Sequence, residues 1–60
     1  MHYILVLTVF FNGQMVNQDK IGPMTEKACH ALEHKAQVDY RAGIDKIPGN
    51  KGFTACVWQP

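Results

Sequence analysis

The run His2-Tyr3-Ile4-Leu5-Val6-Leu7-Thr8-Val9-Phe10-Phe11, closed by Asn12-Gly13, decides the architecture. Its β-branched and aromatic residues suit a pleated surface, and Asn-Gly readily takes the two positive-φ positions of a type I′ hairpin turn. Residues 2–11 therefore read as a strand, and residues 14–20 as its returning partner. The partner is far more polar, with Met15, Val16 and, just beyond it, Ile21 as its apolar residues. That composition suits a sheet edge facing water.

Outward from the hairpin, Gly22-Pro23 reads as the end of the second strand. Thr25 stands where a helix N-cap belongs, and Glu26 follows in the first turn, where the helix dipole favours negative charge. Neither Gly nor Pro interrupts Glu26 to Ala42. Cys29, Leu32, Ala36 and Tyr40, flanked by Ala28, fall on one stripe at helical spacing. Glu26, His30, Glu33, His34, Gln37 and Arg41 are assigned to the opposite, solvated side. Gly43 stops the helix, residues 44–52 read as a loop containing Pro48, Gly49, Asn50 and Gly52, and residues 53–59 return to strand composition. This order predicts one small α+β domain of ββαβ type, with a three-stranded antiparallel sheet in spatial order 2-1-3 and the helix across one face. Parallel pairing of the last strand with the second is the main alternative.

Sixty residues leave room for one domain, and a chain of that length buries only about 60% of the surface it exposes when unfolded. At 47% hydrophobic and 18% charged, with a net charge of +1, it is too apolar for a disordered tail and too neutral to live on nucleic-acid phosphates. Asn12-Gly13 interrupts the first apolar run after roughly ten residues, well short of the ~20 a membrane helix requires. The run also lacks the preceding Lys or Arg and the following cleavage site of a signal peptide. These features predict a cytoplasmic protein without a membrane partner. Cys29 and Cys56, placed mid-helix and mid-strand, read as small buried apolar residues, because disulfide frameworks in small domains usually carry four or more cysteines. A bridge between them requires the helix to pack over the last strand.

The informative anomaly lies in the first strand. Tyr3, Leu5, Leu7, Val9 and Phe11 make one face, and His2, Ile4, Val6, Thr8 and Phe10 the other. Both are apolar, whereas a strand in a one-sided sheet alternates apolar and polar. One helix covers one side only, and each large side chain left wet forgoes about 1.5–3 kcal/mol of burial. The second face is therefore expected to meet another chain, most simply a second copy, through Ile4, Val6, Phe10 and Trp58. The competing expectation is that the loop, with Ile44 and Ile47, folds beneath the sheet and covers it.

Candidate chemistry is sparse. His30-Ala31-Leu32-Glu33-His34 matches the H-x-x-E-H pattern of inverzincin metallopeptidases, in which two histidines at i, i+4 share a metal. That pattern also needs a further protein ligand and a substrate cleft, and after His34 only Asp39 and Asp45 carry carboxylates. His30 and His34 thus remain metal candidates without catalytic support. A zinc site of Cys29, Cys56 and a histidine is disfavoured because the histidines are assigned away from the cysteine stripe. Gly49-Asn50-Lys51-Gly52 lacks the spacing of a phosphate-binding P-loop. Tyr3, Tyr40, Phe53 and Trp58 could stack bases, but the neutral charge argues against nucleic acid. No cofactor is implied.

In its layout the chain resembles the short accessory proteins that bacteriophages encode. The features that carry the resemblance are the apolar N-terminal strand into Asn12-Gly13, one helix from near Thr25, and the closing Thr54-Ala55-Cys56-Val57-Trp58 strand. Such proteins often act by binding and disabling a host or defence protein. The resemblance implies a non-enzymatic interaction module, here expected as a homodimer that blocks a larger protein. The partner surface is expected on the helix face of His30, Glu33, His34, Gln37 and Arg41, or at the edge of residues 14–20 by strand addition. The alternative is a small-ligand or nucleotide binder, with a pocket between two copies near Lys46 and Lys51.

Overall fold

The structure, a computed structural model, describes residues 2–60. Strand β1 (His2–Phe11) turns through Asn12 (φ 51) and Gly13 (φ 83) into β2 (Gln14–Met24), both turn residues left-handed as the I′ geometry requires. Helix α1 (Glu26–Ala42), a 3-10 turn at Ile44–Lys46 and β3 (Asn50–Gln59) complete the chain. The sheet is antiparallel throughout in the order β2-β1-β3, so the apolar strand is central and the parallel alternative is excluded.

Two boundaries differ from the expectation, each for a local reason. Gly22-Pro23 does not end β2. The register slips between Tyr3↔Met24 and Leu5↔Ile21, a bulge that holds both residues on an edge strand, where a proline's missing N–H costs no ladder bond. Gly22 (φ 133) is required there, since a Cβ would stand 2.9 Å from the Tyr3 carbonyl oxygen. Strand β3 begins at Asn50 rather than Phe53, because all ten residues of β1 find partners on it, from His2↔Gln59 to Phe11↔Asn50.

The helix begins as its sequence indicates. The Thr25 hydroxyl accepts a hydrogen bond from the Ala28 amide at 3.2 Å. At the other end the Gly43 amide donates to the Asp39 and Tyr40 carbonyls, although Gly43 (φ -130) is not left-handed. The helix packs over β1 and β3. Among the described residues, only Leu5 and Cys29 are fully buried. They lie together, because Leu5 pairs with Cys56 in the sheet and Cys56 is joined to Cys29 by a disulfide. The sequence reading of two unpaired buried thiols is thus corrected. With so few residues to enclose a core, a covalent clamp from helix to sheet supplies what apolar burial alone does not.

Tyr40 closes the other end of the covered face. Its ring lies directly over Gly52, where any Cβ would overlap the ring carbons, so this strand position has no room for a side chain. The Gly52 amide donates to Asp45 Oδ1 at 2.9 Å, which ties the 3-10 turn to β3.

Candidate functional site

Register assigns every strand side chain to a face. Cys56 reaches the helix, so Thr54, Cys56 and Trp58 lie on the covered side with their partners Leu7, Leu5 and Tyr3. The open side carries Ile4, Val6, Thr8 and Phe10 from β1, opposite Val57, Ala55, Phe53 and Lys51 from β3. Met15, Gln18 and Lys20 extend it along β2. Trp58 is therefore on the wrong side for the surface expected of it. It is 59% exposed, but it pairs with Tyr3 on the helix side, while Phe53 and Val57 take the positions beside Phe10 and Ile4.

The open face remains wet. Phe53 is 53% exposed and Val57 40%, with Ile4, Val6 and Phe10 half-buried between the strands. The 44–52 segment does not seal it. The Gly49 carbonyl accepts from the Asn12 amide and Asn50 donates to the Ile47 carbonyl, which holds the segment at the hairpin end of the sheet. Two shallow concavities occupy the face. One of about 550 Å³ lies among Phe10, Gly49, Lys51 and Phe53, and one of about 530 Å³ among Ile4, Val6, Lys20 and Val57. Neither Ile44 nor Ile47 lines either. The rings of Phe10 and Phe53 meet edge to face at 5.5 Å and form one wall.

The helix residues assigned to a partner divide. Glu33 and Gln37 turn to the sheet: Gln37 Nε2 donates to Thr54 Oγ1 at 3.0 Å, and Thr54 Oγ1 donates to Glu33 Oε2 at 3.0 Å. Glu33 is half-buried against the cysteine stripe, whereas Gln37 reaches Thr54 from an exposed position. Glu33 is i+4 from Cys29, only about 40° around the helix at 100° per residue. That spacing was the signal available in the sequence. His34 and Arg41 are exposed, as expected. His30 is also exposed but leans back, with Nδ1 3.2 Å from Glu33 Oε1 and Nε2 3.9 Å from Glu26 Oε2.

The two histidines offered as a metal pair are not brought together. Among the described residues, the potential ligand atoms that converge belong to His30, Glu33 and Cys56, all within 4.8 Å of one another, and His34 is outside the group. Sequence reading missed this cluster because it placed His30 and Glu33 on the face away from the cysteines. Two phenols on the covered side are shifted. Burial, then the carboxylates of Asp19 and Asp45, raise the Tyr40 pKa above its ordinary value of 10.0.

In comparison with protein-family models, curated proteins and solved structures, nothing matches the chain. Among the described residues, no helix is long and apolar enough to cross a membrane.

Proposed function

We propose that the chain is a non-enzymatic interaction module that pairs with a second copy of itself through the open sheet face and, so assembled, binds and blocks a larger protein. The observation that carries the reading is the apolar face of Ile4, Val6, Phe10, Phe53 and Val57, which neither the helix nor the 44–52 segment covers. A flat face of three strands and ten residues, at ~4.8 Å and ~3.3 Å spacings, presents roughly 450–500 Å². Two copies bury about 1,000 Å², the lower limit of a specific interface, so pairing at micromolar rather than nanomolar concentration is expected. Sheets packed face to face, ~10 Å apart, give the geometry.

The blocking role follows from the resemblance to phage accessory proteins. The surfaces left for a larger partner are the exposed His34 and Arg41 and the free edge of β2. A cytoplasmic setting goes with this reading, and there the Cys29–Cys56 bond meets thiol reductants. A second reading, a small ligand held between two copies, is favoured by the 550 Å³ concavity with its aromatic wall and Lys51. Thermal stabilisation by one specific compound among phosphorylated and neutral candidates would mark it.

Sedimentation velocity across micromolar concentrations tests the pairing. Wild type should run at twice 6.8 kDa, whereas Phe53→Lys and Val57→Lys should run as single chains. Trp58→Lys, equally exposed but on the other face, should leave the dimer intact. Wild type at single-chain mass throughout would sink the reading.

A further inference from the structure

The Cys29–Cys56 disulfide is not isolated from other chemistry. Glu33 Oε1 stands 3.2 Å from His30 Nδ1 and 3.9 Å from Cys56 Sγ, while Thr54 holds the other carboxylate oxygen, Oε2. The outer nitrogen of His30 faces Glu26. The Cys56 sulfur, one imidazole nitrogen and one carboxylate oxygen thus converge from α1 and β3, and the Cys29 sulfur, outside that group, is bonded to Cys56. The geometry points to a zinc site made by Cys29 Sγ, Cys56 Sγ, His30 Nδ1 and Glu33 Oε1 once the disulfide is reduced.

The ligand set is chemically apt. Zinc accepts sulfur, imidazole and carboxylate ligands in a tetrahedron, with bonds of ~2.0–2.3 Å that place ligand atoms about 3.3–3.8 Å apart. The His30, Glu33 and Cys56 atoms now lie within 4.8 Å, so they need to draw in by about 1 Å, which the exposed His30 side chain can do by rotation. The sulfurs must instead part from bonding distance, which cleavage of the disulfide permits. Thr54 donates to Glu33 Oε2 the kind of outer hydrogen bond that orients such a ligand, and Glu26 Oε2, 3.9 Å from His30 Nε2, stands near enough to accept a second once His30 rotates.

The exchange balances. A dithiol reductant transfers two electrons: its own sulfurs join, the Cys29–Cys56 bond breaks, and its two protons pass to the cysteine sulfurs. Zinc then displaces those two protons to water as it binds the thiolates. Disulfide and zinc are alternative clamps between the same helix and strand, so the fold is held in either redox state.

Anaerobic titration of the full chain with Co²⁺, after reduction by a phosphine that is then removed, is the test. One equivalent should give a thiolate-to-cobalt charge-transfer band together with the visible bands of a tetrahedral site, and Zn²⁺ should displace it. The oxidised protein should give neither. His30→Ala and Glu33→Gln should each weaken binding at least about tenfold, and His34→Ala should not. Should the reduced protein lose its helical circular dichroism, metal must restore it. Absence of the bands, failure of that restoration, or undiminished affinity in the His30→Ala/Glu33→Gln double variant, would each overturn the site. The last of these would reveal adventitious thiolate binding only.

Discussion

The two faces of the sheet are built from the same central strand, yet they are held by different physics. The covered face has Leu5 and Cys29 fully enclosed, a disulfide, a side-chain chain Gln37–Thr54–Glu33, and an aromatic ring pressed on a glycine. It also carries the acids Asp19 and Glu33. The open face has Gln18 Nε2 donating to Thr8 Oγ1 at 3.2 Å, a bond within the sheet that ties no other element to it. Its apolar residues are bordered by Lys20 and Lys51, and no carboxylate falls at its register positions. The lesson is that hydrophobicity alone does not say which face is core. Both sides of β1 are apolar, and the side that becomes the interior is the one where small residues and paired polar groups let a helix approach.

The comparison breaks most decisively at the disulfide. For a sequence separation of 27, the loop-closure argument gives about 3.5 kcal/mol from the Cys29–Cys56 link. That is comparable to the whole stability of a domain this size. Cys29→Ser/Cys56→Ser should therefore leave the chain largely unfolded at 25 °C, read by urea titration of circular dichroism. Gly52→Ala comes next. The new methyl overlaps the Tyr40 ring, and the expected cost is about 1–3 kcal/mol in the same titration. Thr54→Val removes the hydroxyl that serves both Glu33 and Gln37, and should cost about 1 kcal/mol because water can replace part of what is lost. Matching substitutions on the open face, Val57→Lys above all, should change chain stability by less than about 0.5 kcal/mol at concentrations too low for pairing. A large loss there would mean that the two faces are not distinct.

Salt sharpens the contrast without any substitution. Two copies of the open face bring Lys20 and Lys51 of each toward like charges, so added salt should strengthen self-association. Docking of an acidic partner protein on the same lysines would weaken instead. Sedimentation in low and high salt distinguishes the two.

The order and pairing of the elements were legible in the sequence because the signals were local. Asn12-Gly13 fixes the hairpin, Thr25 caps the helix, and the uniformly apolar β1 belongs at the centre. What was not legible depended on where the helix comes down. Whether Cys29 meets Cys56 is decided by packing between distant segments. The same holds for Glu33, a charged residue that reads as solvated until Thr54 is placed beneath it. Trp58 shows the converse: its face follows from simple alternation with Cys56, but only once the disulfide shows which side Cys56 takes. Its size suggested a buried contact, and its position beyond the packed centre leaves it exposed.

The smallest effect separates the faces by pH. Tyr40 and Tyr3 both lie on the covered side, and each phenol is raised above 10.0. For Tyr40 the causes are burial, then the nearby negative charges of Asp19 and Asp45. Ionisation is therefore harder in the folded chain than in the unfolded one, where the phenol titrates near 10. The unfolded state then releases protons first as pH rises, so the stabilisation is fully present below about pH 10 and is lost as pH climbs through the raised value. Unfolding free energies measured between pH 9 and 11 should fall, and Tyr40→Phe should flatten part of that slope. The open face bears no tyrosine at its register positions, so the non-titrating Val57→Thr should leave the slope unchanged. If Val57→Thr altered the alkaline slope and Tyr40→Phe did not, the assignment of titrating groups to the covered side would be wrong.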